Sequence, residues 1–167
     1  AGAVYDTYLS SFMNEDGSVN WLPVCADAHG FVVNKDLFEK YEIPLPTDYE
    51  SFVSACQAFD EVGIRGFTAD YYYDYTCMET LQGLSASELS SVDGRKWRTT
   101  YSDPDNTKRE GLDDTVWPEA FERMEQFIQD TGLNQDDLDM NYDDIIEMYQ
   151  SGKLAMYFGT SAGVKMF

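Results

Sequence analysis

Residues 30–41 read Gly-Phe-Val-Val-Asn-Lys-Asp-Leu-Phe-Glu-Lys-Tyr, and this stretch decides the fold class. Gly30 to Val33 is a continuous apolar run closed by Asn34, the pattern of a strand covered on both faces. Lys35 to Tyr41 follows at once with the make-up of a short helix. Working outward, Pro44 and Pro46 mark a connector, and Thr47-Asp48-Tyr49-Glu50 has capping-box spacing, with the Thr47 hydroxyl and the Glu50 carboxylate serving each other's backbone N–H groups. Phe52, Val53, Cys56 and Phe59 recur at helical spacing, and Gly63 stands where a left-handed glycine ends a helix. Ile64 to Ala69 then reads as a second strand. Strand, helices, strand is the pattern of an α/β unit.

The remainder is built around this unit. Before Asn20 the turn material Asn14-Glu15-Asp16-Gly17 indicates irregular or edge structure, and Pro23 interrupts the run Val19 to Val24. From Ser85 to Glu110 the composition shifts to Ser, Asp, Gly and Asn with Arg95, Lys96, Arg98, Lys108 and Arg109. Asp93-Gly94 is a hairpin turn signal with Arg95 to Tyr101 as one arm, so an exposed hairpin insertion and a loop through Pro104 are expected. A helix follows, with Thr115 as cap, Pro118 in its first turn, and Trp117, Phe121, Met124, Phe127 and Ile128 as one apolar stripe ending at Gly132. Asn141-Tyr142-Asp143-Asp144 opens a last helix, Gly152 terminates it, and Leu154 to Phe158 is an apolar strand.

At 167 residues the chain is one domain's worth, and 43% hydrophobic residues supply an ample core. Eleven Lys and Arg against 31 Asp and Glu give a net charge of -20, which lacks the phosphate-neutralising footprint of a nucleic-acid binder and disfavours anionic membrane surfaces. No run approaches the roughly 20 apolar residues of a membrane-spanning helix. Cys25, Cys56 and Cys77 are odd in number and lack CxxC spacing, so buried free thiols are expected rather than a zinc site or a disulfide framework.

Chemistry concentrates in two places. Tyr71-Tyr72-Tyr73-Asp74-Tyr75 sets four tyrosines and a carboxylate directly after a buried strand, and ligands of α/β folds gather at the carboxyl ends of strands. Tyrosine offers a flat face for a sugar ring and a hydroxyl for hydrogen bonds, and Asp70, Asp74 or Glu79 can accept from ligand hydroxyls; at least one of the tyrosines packs inward. Gly159-Thr160-Ser161-Ala162-Gly163 also follows a strand and is small enough for a ligand to approach its backbone N–H groups. It is no phosphate loop, because Gly163-Val164-Lys165 breaks the Walker spacing. His29, the lone histidine, has Asp27 and Cys25 nearby, yet no G-x-S-x-G elbow or other activated nucleophile accompanies it. Asp136 to Asp144 fails as a calcium loop, since Asp144 stands at the glycine position and Gln150 at the bidentate glutamate position. No metal or cofactor is expected.

Gly30 to Tyr41, preceded by Leu22-Pro23-Val24 and followed by Ile43-Pro44-Leu45-Pro46-Thr47-Asp48-Tyr49-Glu50-Ser51-Phe52, resembles the YNKDLFEKYGI-P-PKTWDE block of family 1 extracellular solute-binding proteins. These are the maltose-binding-protein-like receptors of ABC importers. Met148 to Gly159 resembles the same family's F-x-x-G-K-x-A-M segment, and order and spacing agree. The resemblance covers nearly the whole chain. It implies a periplasmic-binding-protein-like (type II) α/β lobe, a mixed sheet flanked by helices, with residues 1–167 forming the central part of the C-terminal lobe of a two-lobed protein about twice as long. It further implies an extracellular or periplasmic setting with a lipoprotein anchor, a carbohydrate ligand, most often an oligosaccharide, and delivery to an ABC permease. The chain itself would be monomeric and not an enzyme.

For the site, the resemblance implies acidic and aromatic contacts after the second strand, at Tyr72, Asp74 and Tyr75, beside Tyr71 of the same tract. A second contact region falls at Gly159, Thr160 and Ser161. Maltose binders carry Gly-x-Trp there; this chain has Gly159-Thr160-Ser161, so the stacking tryptophan is missing. A lobe by itself encloses little of a ligand, and affinity toward the millimolar range, about 4 kcal/mol, is expected of it. Two rivals are a glycoside hydrolase using a carboxylate pair such as Asp70 and Glu79 roughly 5–10 Å apart, and a structural interaction domain whose tyrosines line no common concavity.

Overall fold

A computed structural model of the chain describes residues 12–22, 25–105 and 115–166. Strand β1 (His29–Val33) leads into helix α1 (Lys35–Lys40), with the Asn34 side chain accepting from the Leu37 N–H as N-cap. Helix α2 (Tyr49–Glu61) follows, then strand β2 (Arg65–Thr68). Helices α3 (Asp74–Leu84), α4 (Ala86–Ser90) and α5 (Val92–Ser102) come next. Helix α6 (Trp117–Thr131), a 3₁₀ turn (Gln135–Asp139), helix α7 (Tyr142–Gln150), strand β3 (Leu154–Thr160) and a second 3₁₀ turn (Gly163–Met166) complete the order.

The three strands form one mixed sheet in the order β1-β3-β2, in which β3 runs antiparallel to β1 and parallel to β2. Register puts Phe31 opposite Phe158 and both Val33 and Phe67 beside Met156, all on one face. That face is covered by α1, α2 and α6 through Phe38, Phe52, Phe59 and Phe127, whose rings meet one another and Phe67 edge-on or stacked at 4.8–6.0 Å. Burying each such ring contributes about 1.5–3 kcal/mol. The other face carries Val32 and Tyr157 and is covered by α7 through Ile145 and Met148. Helices on both faces explain why β3 is buried from Leu154 to Tyr157 and reads as an unbroken apolar run.

Several expectations need correcting. Asp93-Gly94 is no hairpin turn: Ser91 accepts from the Gly94 N–H and caps α5, so Arg95 to Tyr101 is helical. An added Cβ at Gly94 would lie 2.1 Å from the Glu88 carbonyl oxygen, so this glycine serves a close approach of α4 to α5. The capping box of α2 is one residue further on, Asp48 with Ser51 in place of Thr47 with Glu50, because the shorter Ser51 hydroxyl reaches back to the Asp48 N–H. Thr115 accepts from the Trp117 N–H but Val116 holds the N-cap position of α6. Of the α6 stripe, Phe127 is buried whereas Phe121 and Ile128 are exposed, and Ala120, outside the expected stripe, is buried. Only Cys56 is a buried thiol, its pKa pushed up by burial to about 12; Cys25 is exposed and Cys77 half-buried. Strand β3 runs to Thr160 rather than Phe158. Gly63, Gly132 and Gly152 all take positive φ at helix ends, as expected. Lys108, Arg109 and the segments 1–11 and 23–24 lie outside the described residues. Among the described residues no helix is long and apolar enough to cross a membrane.

Candidate ligand-binding site

Because β2 and β3 are parallel and β1 antiparallel to them, one edge of the sheet collects the carboxyl ends of β2 and β3 and the start of β1. A cavity of about 280 Å³ opens at that edge. Asp70, two residues beyond β2, and Tyr75, Thr76 and Glu79 from the first turns of α3 form one side of it. Tyr142 of α7 and Tyr157 to Thr160 of β3 form the floor and the opposite side.

A partly buried ion pair ties β2, which leads to Asp70, to the loop before α7. Arg65 at the start of β2 donates from Nη2 to Asp137 Oδ2 at 2.7 Å, and Thr68 Oγ1 at the end of the strand donates to Asp137 Oδ1 at 2.6 Å. The Asn134 N–H adds a third bond at 2.8 Å. Asp137 is 2% exposed, so its charge is held almost entirely by these donors. Tyr72 then donates its N–H to the Met140 carbonyl, tying the tract after β2 to the same loop.

Asp70 is half-buried and accepts from Thr76 Oγ1 at 3.0 Å and from the Tyr75 hydroxyl. Burial, with a further push from the Glu79 charge, raises its pKa above the ordinary aspartate value. The tyrosines respond in the same sense: burial and then the Asp70 charge raise both Tyr75 and Tyr142. Glu79 Oε2 lies 3.5 Å from His29 Nδ1 at the head of β1. At the far corner the Asp27 carboxylate accepts from the Ser161 hydroxyl and from the Ala162 and Ala28 N–H groups, clasping the beginning of β1 to the end of β3. Those donors, Ser161 first, hold its pKa below the ordinary value. No cluster of metal-ligating residues exists among the described residues.

The tyrosine tract divides. Tyr71 is 6% exposed and packs inward, its hydroxyl 3.3 Å from Thr80 Oγ1. Tyr72 is 63% exposed and lies off the cavity, as does Asp74, which opens α3. Tyr75 lines the cavity and stacks on Tyr73 at 5.3 Å, and Gly159 and Thr160 line it from β3, whereas Ser161 is engaged by Asp27. Sequence reasoning missed Tyr142 and Tyr157. Tyr142 lies in the acidic capping turn of α7 and Tyr157 in an apolar strand, and neither context marks a ligand-facing ring. Of the acceptors named from sequence, Asp70 and Glu79 line the cavity and Asp74 does not; Thr76 becomes legible only once α3 is placed, since residues 76 and 79 share a helix face with each other but not with Asp74.

Comparison with known proteins now bears on this geometry. Residues 2–166 match the family described as bacterial extracellular solute-binding protein. The chain belongs to that family. No curated protein sequence matches the chain. Among solved structures it is similar to a probable secreted solute-binding lipoprotein from Streptomyces coelicolor, with TM-score 0.73, 18% identity, and coverage of 98% of this chain and 39% of that one. A chitin oligosaccharide binding protein gives TM-score 0.72 at 17% identity, covering 93% of this chain and 37% of that one. The solute-binding protein RafE in complex with raffinose gives 0.66 at 20% identity, covering 95% and 42%. These likenesses establish the type II solute-binding lobe. The chain spans about two fifths of the length of each of these proteins.

Proposed function

We propose that this chain forms one wall of an oligosaccharide-binding cleft in an extracellular solute-binding protein of an ABC importer. The observation that carries the reading is the cavity at the carboxyl ends of β2 and β3, where acceptor carboxylates stand beside tyrosine faces. Asp70 and Glu79 accept from ring hydroxyls, and Tyr75 offers a face on which a pyranose can lie. Chitin oligosaccharide and raffinose are the ligands named for two structural relatives, which supports a carbohydrate here. In this reading residues 1–167 are the central part of one of two lobes, a second lobe closes over the ligand, and the closed form is what a membrane permease accepts. Anchoring as a lipoprotein belongs to the same proposal.

The chain acts here by binding, without turnover. One observation favours a second reading: a glycosidase needs one carboxyl of raised pKa beside another, and Asp70 with Glu79 has that character. Two measurements separate the readings. Saturation-transfer NMR with raffinose, maltotetraose and N,N'-diacetylchitobiose should show contact to ring protons that weakens in Tyr75→Ala, with millimolar affinity. Release of chromophore from aryl glycosides, abolished in Asp70→Asn, would support hydrolysis and overturn the binding-only reading.

A further inference from the structure

The charge pattern of the cavity narrows the ligand class beyond carbohydrate. Asp70 and Glu79 line the same wall, and each charge opposes ionisation in its surroundings: Glu79 acts on Asp70, and Asp70 acts on Tyr75 and Tyr142. Asp70 accepts hydrogen bonds from neutral hydroxyls, those of Thr76 and Tyr75. Among the described residues lining the cavity there is no Lys or Arg. Among the described residues the basic group recorded beside these carboxylates is His29, 3.5 Å from Glu79 and half open to water. Tyr75, Tyr142, Tyr157 and Phe158 supply the aromatic part of the lining, and the electron-rich faces of such rings also favour cations. A neutral sugar leaves two like charges side by side on one wall of a partly desolvated cavity, whereas a ligand ammonium relieves the repulsion and gains charge-assisted hydrogen bonds.

We propose that this cleft wall selects an amino sugar bearing a free ammonium group, seated between Asp70 and Glu79 with its ring against Tyr75. The proposal rests on the carbohydrate-binding reading above, and its test keeps the two apart. Three β-1,4-linked disaccharides that differ only at the 2-substituent serve as probes: glucosamine disaccharide, N,N'-diacetylchitobiose and cellobiose. The isotope-labelled chain is titrated with each at about pH 6, where the amine is protonated, while the amides of Thr76, Glu79 and Gly159 are followed. The free amine should bind roughly tenfold or more tightly than the other two at low salt. That advantage should shrink in about 0.5 M salt, where screening is strong, and disappear in Asp70→Asn and Glu79→Gln. Equal or weaker binding of the free amine, with cellobiose or the acetylated sugar shifting the same amides, would overturn the proposal and leave the carbohydrate reading intact. No saturable shift at these amides with any probe would overturn both. Unsaturating shifts of the amine alone, spread over acidic surface residues of a chain with net charge -20, would mark general cation adsorption and also overturn it.

Discussion

Gly30 and Gly159 face each other across β1 and β3 as Cα partners, and they offer a matched pair of substitutions. A Cβ added at Gly30 meets nothing within 4 Å. One added at Gly159 falls 2.4 Å from Cε2 of Tyr157 and 3.2 Å from its Cδ2 and Cζ. Carbon atoms in contact prefer about 3.5–4.0 Å, so the Tyr157 ring must withdraw by roughly 1 Å. It has nowhere easy to go, being 2% exposed and held edge-on against Tyr149 at 5.5 Å. Overpacking of this kind costs about 1–3 kcal/mol. Loss of unfolded-chain freedom returns about 0.4–1 kcal/mol in both variants. Gly30→Ala should therefore be neutral or slightly stabilising, and Gly159→Ala destabilising by about 1–2 kcal/mol net. With a urea slope of roughly 2 kcal/mol/M, the two midpoints should separate by about 0.5–1.5 M. Tyr157 floors the cavity, so Gly159→Ala should also weaken the response to sugar while Gly30→Ala leaves it unchanged. Equal midpoints for the two variants would refute the reasoning, because they would mean that Tyr157 yields at no cost.

Asp137→Ala strips the partly buried Arg65 guanidinium of its counter-charge and should cost at most about 3–5 kcal/mol in urea unfolding; the double change Arg65→Met, Asp137→Leu should cost less than that single one, and a loss under about 1 kcal/mol for Asp137→Ala would contradict the ion pair's role. Asp27 has a lowered folded pKa, so its contribution to the β1–β3 clasp is present above the unfolded value of about 3.9 and is lost as pH falls through the folded one. The Ala28 and Ala162 amide shifts should stay flat down to about pH 4 and move below it, and a midpoint above that value would be the wrong result. Asp70 is the opposite case: its raised folded pKa means that acidification through it favours the free folded chain, while binding that uses the carboxylate declines over the same range. As pH is lowered, sugar affinity should begin to fall while still above the ordinary aspartate pKa of about 3.9 in the wild type and show no such step in Asp70→Asn.

How much was legible in the sequence depended on whether the information was local. Leu154 to Tyr157 reads as a strand because helices cover both faces of the sheet there, whereas Gly30 to Val33 is a strand at the sheet's edge whose Phe31 stays half exposed rather than buried, and the positive-φ glycines 63, 132 and 152 end helices by themselves. Asp93-Gly94 misled because the reason for Gly94 is tertiary, the approach of α4 to α5, and a turn signal looks the same whether glycine serves φ or space. At the site, the acidic and aromatic character after β2 was evident, but the helical turn that swings Tyr75, Thr76 and Glu79 toward β3 and leaves Tyr72 and Asp74 outside depends on where α3 begins. Tyr142 and Tyr157 join the site through the packing of α7 on β3, a long-range contact with no sequence mark.

The central claim, that the cavity between α3 and the end of β3 is this lobe's share of a sugar cleft, is tested most directly by amide NMR of the labelled chain titrated with oligosaccharides to high millimolar concentration. Saturable shifts should appear together at Thr76, Tyr142, Gly159 and Thr160 and be absent at Tyr72 and at the Phe31–Tyr49 side of the sheet. Shifts centred on Tyr72 or on the opposite face, with the cavity amides still, would contradict the account.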